Sequence, residues 1–136
     1  MKYRLVIILL MFMFVGSSAN AQTFRDSNNM QLGKVESDGT VRNANNMRLG
    51  KIFEDGTIRD SNNMLLGTIE KDGTIRDKNN MRLCTVSSDG TVRDNNMRLG
   101  TISSDGMVRD NNNMRVGTAS GINTRYAAVL FFFNPL

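Results

Sequence analysis

Leu49-Gly-Lys-Ile-Phe-Glu-Asp-Gly-Thr-Ile-Arg-Asp-Ser-Asn-Asn63, followed by Met64, is the stretch from which the fold is read. No part of it is long enough for a helix. β-Branched residues flank Asp55-Gly56 on both sides, Ile52 before and Ile58 after, which is a strong short-range hairpin signal. The loop length sets the register. A two-residue loop would place Ile52 across from Arg59. A three-residue loop of Glu54, Asp55 and left-handed Gly56 places Ile52 across from Ile58. The second is predicted, because it puts both aliphatic side chains on one face. Asp60-Ser61-Asn62-Asn63 then reads as a tight connection to the next hairpin, since aspartate accepts hydrogen bonds from amides just ahead and asparagine tolerates positive φ.

The unit recurs along almost the whole chain. Asp-Gly-Thr begins at Asp38, Asp55, Asp72 and Asp89, with a degenerate Asp-Gly-Met at Asp105. Asn-Asn-Met ends at Met30, Met47, Met64, Met81, Met97 and Met114, at spacings of 17, 17, 17, 16 and 17 residues. A fixed short period means one small structural unit copied. The exceptions carry information. Asn43 replaces the aspartate of one connection and keeps the acceptor without the charge, and Asp94-Asn95-Asn96 is one residue short. Cys84 replaces the glycine of Leu-Gly, so that position does not require positive φ, and a close approach between strands explains glycine in the other copies.

The repeats begin with a half-unit, Phe24 to Met30, and end with the complementary half, Arg115 to Ala119, with five full hairpins between. Two such halves can close a ring and remove exposed sheet edges. An open stack would instead align like charges about 5 Å apart. The expected fold is all-β: five tandem hairpins of 16–17 residues in a closed pseudo-five-fold ring, with an apolar C-terminal strand packed as its core. That strand is Tyr126 to Phe133, apolar at both parities and therefore read as buried on both faces. Its alternative is a sticky strand donated to a partner or to the outer membrane.

Residues 1–21 are of another kind. Lys2 and Arg4 precede an apolar run from Leu5 to Val15, and Ala19-Asn20-Ala21 has the small-x-small pattern of a signal-peptidase site. The run is shorter than the roughly 20 residues that span a bilayer. The expected organisation is a signal peptide over 1–21 and one domain over 22–136, with repeats over about 24–119 and the tail over 120–136. Export places the protein in the periplasm, at the outer membrane or outside the cell, with no transmembrane helix in the mature chain. Cys84 has no intramolecular disulfide partner, so the fold rests on hydrogen bonds and core.

Function is less legible. With Lys2 and Arg4 gone, 15 basic residues face 13 acidic ones, with arginine and aspartate side by side in most repeats. Such interleaving does not make a stripe for nucleic acid. The chain has no histidine and no tryptophan, which removes the commonest general base and the favoured sugar-stacking ring. The paired carboxylates, such as Glu54 with Asp55, flank turns and give way to serines in later copies. The Asp-x-Asn-Asn loops lack the spacing of an EF-hand, and turn chemistry accounts for them without calcium. No cofactor or metal is expected. Two sets of residues form a candidate binding rim. Met30, Met47, Met64, Met81, Met97 and Met114 would bind copper(I) or a partner if they converge on one rim, against the plainer reading that each fills a gap beneath its connection. Arg42, Arg59, Arg76, Arg93 and Arg109 would present forked donors to carboxylates or acidic glycans, against the plainer reading that they bridge neighbouring units.

Gly-x-[Ile/Val]-x-x-Asp-Gly-Thr-[Ile/Val]-Arg-Asp-x-Asn-Asn, copied behind a signal peptide and closed by Ala127-Ala-Val-Leu-Phe-Phe-Phe133, resembles the five-fold β-flower family of Bacteroides-type bacteria over nearly all of residues 24–133. The resemblance implies hairpin petals in pseudo-five-fold symmetry and no catalytic residue. The functional expectation is a monomeric, exported, non-catalytic structural or interaction module of the bacterial envelope, whose partner is an unidentified envelope protein or glycan. The alternative is a protein that binds a glycan or soft metal through the rim.

Overall fold

The computed structural model describes residues 22–136; the signal-peptide reading of 1–21 lies outside them. Twelve antiparallel strands follow one another: β1 (Gln22–Asp26), β2 (Gln31–Val35), β3 (Thr40–Asn43), β4 (Arg48–Ile52), β5 (Thr57–Asp60), β6 (Leu65–Ile69), β7 (Thr74–Asp77), β8 (Arg82–Val86), β9 (Thr91–Asp94), β10 (Met97–Ile102), β11 (Met107–Asp110) and β12 (Arg115–Thr118). Each pairs with the next, and β1 pairs with β12, so the sheet is a closed barrel. Every strand has both neighbours within residues 22–136, and the domain closes without the segment that precedes it.

The hairpin register is the expected one. Ile52 pairs with Ile58, and the same pairing joins Val35 to Val41, Ile69 to Ile75, Val86 to Val92 and Ile102 to Val108. These side chains are nearly all fully buried and line the lumen. The loop Glu54-Asp55-Gly56 closes where Phe53 N–H donates to Thr57 O at 2.8 Å, with Gly56 at φ 92°. Asp55 Oδ1 accepts from the Thr57 amide at 2.9 Å and from its hydroxyl at 2.7 Å.

The threonine amide, and then its hydroxyl, holds the carboxyls of Asp38, Asp55, Asp72 and Asp89 below the ordinary value of 3.8. A depressed folded-state pKa adds stability that is present above the unfolded pKa and is lost as pH falls through the folded one. The melting temperature is therefore expected to stay flat from neutral pH to about pH 5 and to fall below about pH 4. Asn in place of all four aspartates should flatten that fall, and calorimetry across the acid range checks it. An equal fall in the variant would remove these turns as its cause.

The connections behave as read. Asp60 Oδ1 accepts from the Asn62 and Met64 amides, each at 2.9 Å, and Asn63 sits at φ 66°. Asn43 accepts from Asn45 and Met47 at 2.9 and 3.0 Å, so a neutral oxygen suffices. In the short copy Met97 pairs directly with Asp94, and the two-residue link needs no such acceptor.

The ring is not five-fold. Arg25 pairs with Thr118 and Asp26 with Gly117, the register in which Arg42 pairs with Lys34 and Asn43 with Gly33. The two half-units thus form a hairpin position of their own, open at its loop, beside the five covalent hairpins. The barrel has six equivalent positions, because halves that match as well as whole units do must occupy a whole unit's space.

The tail is buried as expected but is not a strand. Helix α1 (Thr124–Ala128) is capped by Asn123, whose side chain accepts from Arg125 N–H at 2.9 Å, and it continues as a π-helical turn over Val129–Phe133. Ala127, Ala128 and Val129 are fully buried. The reason is hydrogen bonding. A closed barrel offers a segment in its lumen no free strand edge, so the segment must satisfy its own backbone groups, which a helix does.

The lumen is shaped to receive this plug. A side chain on Gly50, Gly67, Gly100 or Gly117 would start 2.1–2.4 Å from a carbonyl oxygen of the next strand, and would also strike Leu136, Phe133, Phe132 or Phe131 respectively. Gly33 meets Phe24 in the same way. Consecutive phenylalanines fan around the helix axis, so one short helix supplies side chains to several positions of the ring. Each repeat also carries a bulge that leaves Leu32, Leu49, Leu66, Leu83, Leu99 or Val116 unpaired. All but Leu32 pack half-buried against the core.

Cys84 takes the sixth glycine position and is buried. Here β8 and β9 share only two paired positions, Thr85 with Arg93 and Val86 with Val92; the rung that glycine makes with aspartate in the other hairpins is absent. A Cβ in so close an approach accounts for the loss. Burial, and then the Asp94 charge, pushes the thiol up to about 11, which makes it a poor nucleophile.

Candidate functional site

Successive turns of an up-and-down barrel alternate between its two ends. All five Asp-Gly turns therefore lie at one end and all six Asn-Asn-Met connections at the other. The C-terminal segment enters at the first end, where Asn123, Arg125 and Tyr126 lie beside the turns, and runs toward the second, where Leu136 meets Leu32 and Leu49.

The six methionines form a ring at the connection end, and they are exposed. Met30, Met47, Met64, Met81 and Met114 keep 64–65 % of their accessible surface and Met97 keeps 72 %. The reading of methionine as filler beneath each connection is therefore corrected. The bulged leucines and the plug fill the lumen, and the amide of each methionine in the long connections is held by the Asx acceptor, which turns the side chain outward. Leu32 and Leu65, the other exposed large apolar residues among those described, lie at the same end.

Arginines surround this ring. Arg42, Arg59, Arg76 and Arg109, with Arg25, each donate through Nη1 to the carbonyl of the left-handed asparagine of their own connection, at 3.0–3.1 Å. Arg93 precedes the short connection and is exposed; there Arg82 donates instead to the side chain of Asn95. The reading of Arg-Asp pairs as bridges between units is corrected. The aspartate turns into its own connection, the arginine clasps that connection from outside, and among the described residues the ion pairs are Arg42 with Glu36, Arg76 with Glu70 and Lys51 with Asp38.

The other surprise is charge. Arg42 faces Arg48 across the sheet, Arg76 faces Arg82, Arg93 faces Arg98 and Arg109 faces Arg115. Directly opposed like charges destabilise a sheet. The connection end carries ten arginines and Lys78 against five aspartates, a side-chain balance of six positive. The turn end carries eight carboxylates against Lys34, Lys51, Lys71 and Arg125, a balance of four negative. Signs that alternate along the chain are thus sorted in space, because strand reversal sends every Asp-Gly to one end and every arginine of the repeats to the other. No sequence window shows this; only the parity of strand direction would have found it.

The turn end holds a cleft of about 490 Å³, lined by Ser87, Ser88, Ser103, Ser104 and Arg125 among others. Ser103 donates to a backbone carbonyl. Among the described residues there is no cluster of three or more histidine, cysteine, aspartate or glutamate side chains fit to hold a metal, and no helix is long and apolar enough to cross a membrane. The strands, of four to six residues, fall short of the 9–11 or so that cross a bilayer in a barrel.

No curated protein and no solved structure matches the chain. Residues 21–135 match the family described as 5-fold beta-flower protein. With the repeated Asp-Gly hairpins, the closed all-β barrel and this match over most of its length, the chain belongs to the 5-fold beta-flower family.

Proposed function

We propose that the protein is an exported, non-catalytic interaction module of the cell envelope whose binding face is the methionine and arginine rim. One observation carries this reading: six methionines at equivalent positions stand exposed on one end of a barrel whose lumen is already filled. Apolar side chains gathered on a soluble surface mark contact sites, and methionine suits adaptable ones. The leader-like N-terminus supports export. The absence of histidine from the chain supports a non-catalytic role.

The exposed thioethers also suit copper(I). Equivalent residues are two strands apart, about 10 Å around the ring, so an ion could draw on two neighbouring thioethers but not on a third, which makes a poor copper(I) site. The partner reading therefore stands ahead of the metal one.

Mild peroxide treatment of the folded domain tests the face. All six rim methionines should become sulfoxides, seen by mass spectrometry, with the melting temperature unchanged within about 2 °C, since exposed side chains contribute little to stability. Methionines that resist oxidation until the barrel unfolds would return them to the core and end the proposal.

A further inference from the structure

We infer that the partner of this rim is an anionic phospholipid surface, on which the barrel stands with its connection end down. The inference rests on the rim being the binding face and names what it binds. Three observations lead to it. First, the apolar and cationic groups coincide: methionines form the ring, and four facing arginine pairs lie just outside it. Arg42 and Arg76 already meet Glu36 and Glu70, but Arg93 with Arg98 and Arg109 with Arg115 have no carboxylate in ion-pair contact among the described residues, and an anionic headgroup between two such guanidiniums converts an unfavourable contact into a forked one. An acidic glycan would use the arginines and leave the methionines idle. Secondly, the rim repeats around the barrel. Six equivalent stations present nearly the same side chains, so the face has little lateral identity; this fits a laterally uniform surface better than one folded partner with its own asymmetry. Thirdly, the apolar surface continues inward. A cleft of about 320 Å³ opens among Leu32, Leu49, Leu130, Phe131 and Leu136 at the mouth of the filled lumen, so apolar surface lies beside the methionine ring. A second copy docked rim to rim would oppose the two positive ends, and the turn end offers the methionines mainly serine and carboxylate.

The mode is interfacial. Methionines enter the boundary between headgroups and acyl chains while arginines stay with the phosphates.

The test uses residues 22–136, which close as a complete barrel, in sedimentation with vesicles of phosphatidylcholine alone or mixed with phosphatidylglycerol. Binding to the mixed vesicles, falling as salt rises, is expected, with little binding to phosphatidylcholine. Replacing Arg48, Arg98 and Arg115 by Gln, none of which makes a side-chain hydrogen bond or ion pair among the described residues, should weaken it about a hundredfold. Replacing Met47, Met64 and Met114 by Ser should weaken it about tenfold. Circular dichroism confirms that both variants still melt as the parent does. No sedimentation with the mixed vesicles, or sedimentation indifferent to both sets of substitutions, overturns the inference. If vesicles fail while immobilised heparin retains the parent and releases the arginine variant, the partner is a soluble polyanion: the lipid assignment falls and the rim stands. The oxidation experiment judges the rim without lipid, so the two failures are distinct.

Discussion

Ending the chain at Thr124 is expected to abolish the cooperative thermal transition of the 22–136 domain. The tail removes from water the fully buried Ala127, Ala128 and Val129 and the half-buried Tyr126, Leu130, Phe131, Phe132, Phe133 and Leu136. At about 1.5–3 kcal/mol for each large apolar side chain fully buried, and less for those half-buried, the loss is on the order of 10 kcal/mol. Domains of this size are stable by about 5–15 kcal/mol in total. The barrel would also be left with a wet apolar lumen lined by glycines that have lost their contacts. Far- and near-ultraviolet circular dichroism against temperature decides the matter. A truncated chain that melts cooperatively within a few degrees of the parent would show that the strands carry the fold alone, and would leave the phenylalanines in need of another partner.

The second large effect concerns the glycines. Gly100→Val is expected to lower stability by about 3 kcal/mol, at the upper end for an overpacked core, and the melting temperature by about 10 °C or more. A Cβ at Gly100 would lie 2.1 Å from Arg109 O and 2.7 Å from the Phe132 ring. The ring can move and the backbone carbonyl cannot, so adding Phe132→Ala should relieve only part of the loss. Complete rescue would make the aromatic plug the sole obstacle; no loss from Gly100→Val would mean that the strands do not approach as closely as the register requires. Cys84 indicates what the chain does when such a position is filled, since the neighbouring rung is missing there.

How much of this was legible beforehand varies with the range of the interaction. Hairpin register, the left-handed Gly56 and the Asx connections were all readable from Leu49 to Met64, because each depends on residues within one repeat and on alternation between two faces. Closure was readable from the complementary half-units, although the number of positions was not: that Arg25 meets Thr118 as Arg42 meets Lys34 is a statement about two ends 93 residues apart. The methionines stayed between rim and core in the sequence for a related reason. A sequence offers apolar residues without saying which of them the core has room for, and here the bulged leucines and the plug fill the available space.

The amino-acid sequence by itself determined the repeating hairpin, its register and the need for closure, since these follow from turn chemistry and from the period-two alternation of a strand. The tertiary structure alone decided three things: that the tail is a helix, that the glycines are seats for its phenylalanines, and that methionine and positive charge gather at one pole with negative charge at the other. A helix was chosen because a closed barrel leaves no backbone partner in its lumen. The poles arose because antiparallel strands carry the two halves of every repeat in opposite directions, so that neighbours in the chain become opposite ends of the molecule.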